Sequence, residues 1–435
     1  MMTAAHRYVA PLAVLCVAAF FGNTQGLHAA DSPGWPQFLG PNRNGIVEGT
    51  KLLSAWPTNG PAQLWATNCG VGYAGPVVAN GILVLMERNR DKSQPKGFAP
   101  EETARGLDAA TGRELWRTNN PCDWKAPGGW CWGPASTPAI GENKVVCLGV
   151  QGSLRCLELT TGKVVWEKDL VTDMPIKPQD LHWGFVTSPL IVGDLVIVQV
   201  FPGAGRMVAW RLANGEEVWR TPDYGNYGVD SPAFMMSGDI PVVIGSGLRK
   251  GKLFGLDARN GEMVWSAKTG GGAPVAAEGI IYASYDGNDG MGMCAVKPPG
   301  PDANVAEAVW QHPDKHGVGF SVPLCYKGLV FGHGCYAHHP DPHWFFCADA
   351  KDGSLLWEPT NDKARHWWFL GSDGKVINLR DSGELLLLDA DARSGVRELA
   401  RAKVIDRTWS CPALANGRLY IRSDTQLVCL DLAAK

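Results

Sequence analysis

The sequence predicts an all-β protein, an eight-bladed β-propeller of four-stranded blades that is closed by pairing of its N- and C-terminal strands. Three observations support this prediction. Gly and Pro supply 53 and 30 of the 435 residues, which is typical of short strands joined by tight turns. Six of the 18 Trp residues recur at a near-constant interval. A second, proline-containing pattern recurs between them.

The first repeat consists of an acidic residue, three residues, Gly, three residues and Trp. Three of the copies depart from it at one position, with Arg211, Ala306 and Leu399. Successive Trp residues are 45 to 53 positions apart. The copies are Asp108–Gly112–Trp116, Glu158–Gly162–Trp166, Arg211–Gly215–Trp219, Asp257–Gly261–Trp265, Asp302–Ala306–Trp310, Asp349–Gly353–Trp357 and Asp391–Gly395–Leu399. A Gly-containing turn between two apolar runs indicates a β-hairpin, in which Gly adopts a positive φ.

The second repeat is a small residue, Pro, a short apolar run and Gly. It is centred on Pro76, Pro138, Pro189, Pro232, Pro274, Pro323 and Pro412, with a degenerate copy near Trp368 to Gly374. Together the two repeats indicate four short strands in each unit. Trp65 lacks a preceding motif and the segment ending at Leu432 lacks a Trp, so the chain ends complete one unit. A tandem array of β-sandwiches is the alternative fold, but it does not explain these complementary ends.

The N-terminal residues predict a secretory signal peptide over residues 1–30. A weakly basic start precedes an apolar run from Val9 to Phe21, and small and polar residues follow as far as Ala30. This run is too short for a comfortable membrane span, although an uncleaved anchor is the alternative. We therefore expect residues 31–435 to form a single propeller domain outside the cytoplasm, periplasmic or secreted, with no membrane span in the mature chain. The net charge of −3 does not favour nucleic acid as a partner.

An oxidising compartment would permit disulfide bonds. The chain has 12 Cys residues, and one of them lies within the predicted signal peptide. The pairs Cys147–Cys156, across a predicted hairpin, and Cys122–Cys131, at the ends of one loop, are candidate disulfides. Buried free thiols are the alternative for the first pair.

The Trp repeat resembles the tryptophan-docking repeat of the pyrroloquinoline-quinone-like (PQQ-like) propeller family, over residues 35–433. The resemblance implies that the Trp of one blade docks against the Gly turn of its neighbour. The family includes quinoprotein alcohol dehydrogenases and the propeller lipoprotein of outer-membrane protein assembly. The chain lacks the adjacent Cys pair of the quinone enzymes and a haem domain. We therefore expect a binding or interaction scaffold without a confidently assigned cofactor. The alternative is a PQQ- and Ca²⁺-dependent dehydrogenase of alcohols or sugars in the periplasm.

Aromatic residues recur just before the first strand of several predicted blades, where they would surround the mouth of the central channel. They are Tyr73, Trp132, Trp183, Tyr227, Phe320, Trp368 and Trp409. Such a ring is suited to stack on a planar cofactor or a sugar, or to contact a protein partner. The alternative is that these rings only pack the loops. Asp230 is the one carboxylate in this register. It is a weak candidate for a catalytic base or a Ca²⁺ ligand, and otherwise a hydrogen-bonded structural residue.

A His-rich stretch supplies a third, separate hypothesis. His338, His339, Asp341 and His343 offer ligand types that suit Zn²⁺ or Cu²⁺. The alternative is a set of solvent-exposed or loop-packing side chains.

Overall fold

The computed structural model describes most of the chain. The described residues are 34–124, 133–174, 176–177, 180–181, 183–200, 206–222, 230–246, 253–287, 290–300, 302–312, 322–334, 344–358, 367–391 and 393–434. The predicted signal peptide at residues 1–30 lies outside this part of the chain. No helix within the described residues is long and apolar enough to cross a membrane.

Short strands make up nearly all regular structure in these residues. In the first half they are β1 (Gln63–Asn68), β2 (Val77–Ala79), β3 (Ile82–Glu87), β4 (Glu101–Asp108), β5 (Glu114–Pro121), β6 (Ala139–Gly141), β7 (Lys144–Leu148), β8 (Ser153–Glu158), β9 (Val164–Asp169), β10 (Leu190–Val192), β11 (Leu195–Val200), β12 (Arg206–Arg211) and β13 (Glu217–Arg220). A short helix, α1 (Leu170–Asp173), follows β9.

The second half of the chain continues the same pattern. Its strands are β14 (Ala233–Ser237), β15 (Ile240–Gly245), β16 (Phe254–Asp257), β17 (Met263–Ala267), β18 (Val275–Ala277), β19 (Ile280–Gly287), β20 (Gly290–Lys297), β21 (Val305–His312), β22 (Leu324–Tyr326), β23 (Leu329–Gly334), β24 (Trp344–Asp349), β25 (Leu355–Trp357), β26 (Trp367–Ser372), β27 (Lys375–Arg380), β28 (Glu384–Asp389), β29 (Glu398–Lys403), β30 (Ala413–Ala415), β31 (Arg418–Arg422) and β32 (Gln426–Asp431).

Consecutive strands pair into antiparallel units of four. We number the units in chain order: unit 1 is β2–β5, unit 2 is β6–β9, unit 3 is β10–β13, unit 4 is β14–β17, unit 5 is β18–β21, unit 6 is β22–β25 and unit 7 is β26–β29. The terminal unit joins β30, β31 and β32 to β1 from the other end of the chain. In the described residues, the strands form six separate four-stranded sheets and one eight-stranded sheet that contains units 4 and 5.

The first strand of each unit lies innermost in the fold. Contacts join β2 to β6, β6 to β10, β14 to β18, β18 to β22, β22 to β26 and β30 to β2. Apolar clusters fill the spaces between the faces of neighbouring units. One such cluster packs Val84 and Met86 of unit 1 against Cys147 and Leu157 of unit 2. Each sheet thereby buries both of its faces, which a single four-stranded sheet cannot do alone.

An indole from one unit lies against the hairpin turn of the next. Trp116 Nε1 donates a hydrogen bond of 2.7 Å to the Leu159 carbonyl oxygen. The ring lies so close to Gly162 that a Cβ there would be 2.3 Å from Trp116 Cε3, and Gly162 has a φ of +69°. The same bond joins Trp65 to Ala109 (3.2 Å), Trp166 to Leu212 (2.9 Å), Trp219 to Ala258 (2.8 Å) and Trp310 to Ala350 (2.9 Å).

Two degenerate copies of the sequence repeat are not structurally equivalent to the others. Regular copies pair Trp directly with the third strand, as Trp166 does with Cys156. In unit 7 it is Ala400, rather than Leu399, that occupies this position. The turn before it begins at Asp389 rather than Asp391, because the Asp389 N–H bonds to Arg397 across a longer loop. The constant spacing in the sequence concealed this insertion.

Unit 5 contains the second departure. β20 extends to Lys297, which therefore stands where the repeat has Asp, and Asp302 lies within a longer, Pro-rich turn. Trp265 of unit 4 is 1% exposed, and its Nε1 has no hydrogen-bond partner among the described residues. Instead β17 pairs in parallel with β21, with Ser266 opposite Val305. This pairing merges units 4 and 5 into one sheet.

The predicted Cys147–Cys156 disulfide is wrong. Gly149 N–H bonds to the Ser153 carbonyl oxygen, so the turn is longer than expected and the register moves by one residue. Cys147 is consequently opposite Arg155 rather than Cys156. The two side chains point to opposite faces of unit 2, since neighbouring register positions alternate. Both thiols are free, and burial raises the pKa of each.

The second candidate disulfide is only partly within the described residues. Cys122 is buried and free, and burial raises the pKa of its thiol to about 12. Cys131 lies outside the described residues.

A buried carboxyl group joins units 1 and 2. Glu102 is 1% exposed and accepts a hydrogen bond from the Val150 N–H, at 3.2 Å and 3.1 Å from its two oxygens. Burial raises the pKa of Glu102 to about 7, against the weaker opposing effects of this bond and of Arg88. A neutral carboxylic acid is therefore favoured in the folded protein at mildly acidic pH.

We predict that Gly162→Ala destabilises the protein more than Gly81→Ala. Both glycines have a positive φ, +69° and +74°, but a Cβ at Gly81 would meet nothing within 4 Å. The control, Gly81→Ala, should lower the free energy of unfolding by about 1 kcal/mol through backbone strain alone. Displacement of the Trp116 ring should cost Gly162→Ala about 1–3 kcal/mol more. Urea unfolding of both variants measures the difference, and equal midpoints would show that the indole contact contributes nothing.

A second prediction concerns the pH dependence of stability. The pKa of Glu102 is about 7 in the folded protein and 4.5 ordinarily, so the unfolded chain binds fewer protons between these values. The free energy of unfolding should therefore fall as pH rises from 4.5 through 7, by about 3 kcal/mol in all. Glu102→Gln should flatten this dependence and be the more stable protein at pH 8. Glu101→Gln, at the half-exposed neighbouring position, is the control and should retain the pH dependence. Chemical unfolding from pH 4 to 8 measures the free energy of unfolding of each variant.

Candidate functional site

In each unit the first strand begins, and the second strand ends, at the same end of the sheet, because the two strands are antiparallel. We call this end the mouth. Val71, before β2, bridges to Arg88, after β3, and shows that the two kinds of loop meet there. The hairpin turns lie at the opposite end.

Hydroxyl groups tie the innermost loops of the mouth to one another. Gly75 N–H donates to Thr137 Oγ1 at 2.9 Å, and Thr137 N–H donates to Ser188 Oγ at 3.0 Å. Ser188 N–H in turn donates to Ser231 Oγ at 2.8 Å. Each of these residues immediately precedes the Pro of the second repeat. The hydroxyl-bearing residue before Pro therefore links units 1 to 4 in succession around the mouth.

Three of the predicted aromatic residues come together at the mouth. The Tyr73 and Trp409 rings stack with centroids 5.5 Å apart and planes at 28°. Trp368 Nε1 donates to the Trp409 carbonyl oxygen at 3.1 Å. All three residues are half-buried. The guanidinium of exposed Arg407 lies over the Trp409 ring, 5.1 Å from its centroid.

Of the other four predicted aromatic positions, Trp183 is the one that lies within the described residues. Trp183 is 38% exposed and lies before β10. Trp132, Tyr227 and Phe320 lie outside the described residues, as do all four residues of the His-rich hypothesis. Those four are His338, His339, Asp341 and His343. Where the structure is described, no group of three His, Cys, Asp or Glu side chains is arranged to hold a metal ion.

Asp230 lies at the mouth and is half-buried. Its carboxylate accepts a hydrogen bond from the Ala273 N–H, and Ser246 Oγ lies 3.4 Å from Asp230 Oδ2. Burial raises the pKa of Asp230 despite these bonds. The carboxyl group thus ties unit 4 to unit 5, as expected of a structural residue, while it keeps capacity to accept further bonds.

Gln199 of β11, which no sequence motif predicts, is related to Asp230 because both residues contact Ser246. Gln199 is 4% exposed and donates from Nε2 to the Ser246 carbonyl oxygen at 2.9 Å. Its Oε1 has no hydrogen-bond partner. A buried amide oxygen without a donor is unusual, because such a group loses its bonds to water. No motif points to Gln199. It occupies the fifth position of a second strand, and this position has no constant residue type from unit to unit.

The segment before β1 forms the floor of the mouth. Leu39 packs with Cys411 and Val275, which lie at the mouth ends of the innermost strands of two units. Phe38 meets Trp368 edge-on with ring centroids 6.0 Å apart. The segment therefore packs against the mouth ends of the innermost strands.

Arg43 holds this segment in place. It is 1% exposed and donates to the Pro189 carbonyl oxygen at 2.8 Å and the Ser188 carbonyl oxygen at 3.3 Å. Burial lowers the pKa of its guanidinium to about 9. On the opposite side of the mouth, Arg422 donates to the carbonyl oxygens of Met86 (2.7 Å), Gly70 and Ala74 (3.4 Å). Both cations thus position backbone rather than pair with a carboxylate.

Comparisons with known proteins agree with this architecture. Residues 100–298 match the family model described as outer membrane protein assembly factor BamB. BamB from Moraxella catarrhalis is 16% identical with a TM-score of 0.60, covering 85% of this chain and 99% of that one. Quinohemoprotein alcohol dehydrogenase from Comamonas testosteroni is 13% identical with a TM-score of 0.65, covering 94% and 82%. At these identities the structural likeness is one of fold.

One curated protein is also similar in sequence. Tetrathionate hydrolase from Acidithiobacillus ferrooxidans is 31% identical over 103 residues, which is 23% of this chain. The similarity spans only 19% of that protein's length. The repeat, the sheets and these matches together support the assignment of the chain to the PQQ-like β-propeller family.

Proposed function

We propose that the protein is an exported, eight-bladed propeller that acts as a binding scaffold, with a protein partner docking on the aromatic surface of the mouth. Dividing the eight-stranded sheet where β17 and β21 run parallel gives eight units of four strands. The pairing of β1 with β32 then joins the chain ends within one blade. The indole contacts between units correspond to the family's tryptophan docking.

The proposed location rests on the sequence and the family. Residues 1–30 have the pattern of a secretory signal peptide. The matching family model is described as an outer membrane protein assembly factor, which is consistent with export. An assembly factor of this kind works by contacting other proteins, and this supports a protein as the occupant of the mouth.

The observation that carries the proposal is the stacked pair Tyr73 and Trp409. A planar ring inserted between two aromatic planes requires them to stand about 7 Å apart, twice the usual contact distance. The observed centroid separation is 5.5 Å, so this pair cannot clamp a cofactor without moving apart. Their remaining half-exposed surfaces, with Arg407 above Trp409, form a continuous aromatic and cationic patch. Tyr, Trp and Arg are the residue types that dominate binding energy at protein interfaces.

A PQQ- and Ca²⁺-dependent dehydrogenase is the second candidate, and one observation favours it. Asp230 offers a carboxylate, and Gln199 offers a buried amide oxygen that lacks a donor. Ser246 contacts both residues. Carboxylate and amide oxygens are the ligands that Ca²⁺ prefers, so these two side chains would hold the ion. Bound quinone would supply the redox chemistry, but the closed Tyr73–Trp409 pair does not fit a cofactor sandwich.

We predict that a photo-crosslinker at position 407 captures a discrete protein partner in intact cells of the native host. Arg407 is exposed beside Trp409 at the mouth. A crosslinker at Glu278, which is exposed in a hairpin turn at the opposite end, is the matched control and should yield no adduct. Trp409→Ala should reduce the adduct at 407 by about tenfold, since loss of one central aromatic residue costs about 1–2 kcal/mol or more. Equal labelling at both positions would contradict docking at the mouth.

Direct titration with pyrroloquinoline quinone separates the two candidate functions. For a scaffold, we expect no saturable quenching of Trp fluorescence at high micromolar quinone, with or without Ca²⁺, and no dye reduction with alcohols or sugars. Tight Ca²⁺-dependent binding that is lost in both Asp230→Ala and Gln199→Ala would instead establish the dehydrogenase. Gln37→Ala, which alters a buried amide on the channel floor, is the control for general loss of structure.

A further inference from the structure

The junction between unit 7 and the terminal unit lacks the indole found elsewhere. Ala400 stands in the position of Trp, and a methyl group can neither fill the space of an indole nor donate its hydrogen bond. Gly60, in the turn before β1, approaches unit 7 in the way that Gly162 approaches unit 1. A Cβ on Gly60 would be 3.1 Å from Ala402 Cβ and 3.3 Å from Val404. This junction therefore needs another source of cohesion.

Residues 46–53 cross this junction, and we call them the clasp. On the side of unit 7, Val47 N–H donates to the Gly371 carbonyl oxygen at 3.0 Å. Leu52 N–H donates to Asp373 Oδ2 at 3.0 Å, in the turn between β26 and β27. These bonds attach the clasp to the inner hairpin of unit 7.

The same segment is bonded to the terminal unit. Leu53 N–H donates to the Leu432 carbonyl oxygen at 2.9 Å, and Ala434 N–H donates to the Lys51 carbonyl oxygen at 3.0 Å. Leu52 lies opposite Ala433 in an antiparallel bridge. Successive residues of the clasp thus bond alternately to the two units.

The clasp also supplies apolar cover. Val47 and Leu52 are 4% and 3% exposed. They belong to one cluster with Leu370 of unit 7 and Leu430 of the terminal unit. Burial of two such side chains contributes a substantial part of what a docked indole would have contributed.

The junction between units 4 and 5 offers an independent comparison. There the indole of Trp265 is present but its Nε1 has no acceptor, and the main-chain pairing of β17 with β21 joins the two units instead. This junction and the junction of unit 7 with the terminal unit are therefore both joined by main-chain hydrogen bonds next to a fourth strand.

We infer that the clasp replaces the missing indole between unit 7 and the terminal unit, and that its release opens this junction while the indole-bonded junctions stay closed. The inference rests on the closed ring of the proposed function. The clasp is continuous with the segment that fills the channel, through Gly45 and Ile46, which contact Gly371. Release of the clasp would therefore also loosen the floor of the mouth.

The experiment measures the opening of single junctions by thiol alkylation. Ile421→Cys places a reporter in the terminal unit on the face toward unit 7, since the neighbouring Tyr420 points toward unit 1 and bonds to Ala109. Ile421 is fully buried. Cys147, a buried native thiol between units 1 and 2, is the internal reference in the same sample. Mass spectrometry follows the two labelling rates.

In the reporter background, Asp373→Gly removes the acceptor without straining the φ of +50° at this position. It should raise the labelling rate at position 421 by about three- to tenfold, as expected for one lost hydrogen bond. The rate at Cys147 should not change. Asp373→Asn is the matched control, because it removes the charge and the ion pair with Lys375 but keeps an oxygen that accepts from Leu52 N–H. In Asp373→Asn, the labelling rate at position 421 should stay as slow as in the reporter protein.

Proline substitutions disrupt the clasp more strongly. Leu53→Pro removes the N–H that bonds to Leu432, whereas Glu48→Pro alters an exposed position of the same segment whose N–H makes no bond in the described structure. Only Leu53→Pro should accelerate labelling at position 421. Adding Ala400→Trp should reduce that acceleration, since the restored indole would take over part of the clasp's role.

The outcomes separate the two proposals. Rapid labelling at position 421 in the otherwise unchanged reporter protein would show that the ring is not closed, and the proposed architecture would fail. Slow labelling that none of the clasp variants accelerates, or an equal rise at Cys147, would refute the clasp and leave the closed ring intact.

Discussion

The contact between an indole and a glycine turn is the interaction on which the rest of the structure depends. A four-stranded sheet exposes two apolar faces, and it is stable only when neighbours cover both. Trp116 buries its ring against unit 2 and satisfies its N–H on the Leu159 carbonyl oxygen. Gly162 is required at this point because any Cβ would occupy the space of the ring. The repeated contact sets the distance between sheets and so the geometry of the mouth.

Where this contact fails, main-chain bonds replace it. The longer turn of unit 5 leaves Trp265 without an acceptor, and β21 pairs with β17. Ala400 removes the indole from unit 7, and the clasp bridges to the terminal unit. The first uses the fourth strands of units 4 and 5, and the second uses a segment outside the repeat. Main-chain hydrogen bonds therefore join neighbouring units at both irregular boundaries.

The N-terminal segment connects this architecture to function. It fills the channel with Phe38 and Leu39, is held by buried Arg43, and packs against the mouth ends of the innermost strands. At the mouth Tyr73 and Trp409 stack on each other, which favours contact with a broad partner over insertion of a planar ring. Asp230 and Gln199 both contact Ser246 and lie at the same part of the mouth.

The sequence by itself determined the strand content, the four-stranded units, the positive-φ turns and three of the clustered aromatic residues, because hairpin turns and indole contacts depend on local spacing. It could not determine register. The position of Cys147 opposite Arg155, and of Ala400 in place of Trp, depends on turn lengths that hydrogen bonds decide. Tertiary structure alone placed Gln199 beside Asp230 and the N-terminal segment in the channel. Those contacts join residues far apart in the chain, and no local pattern specifies them.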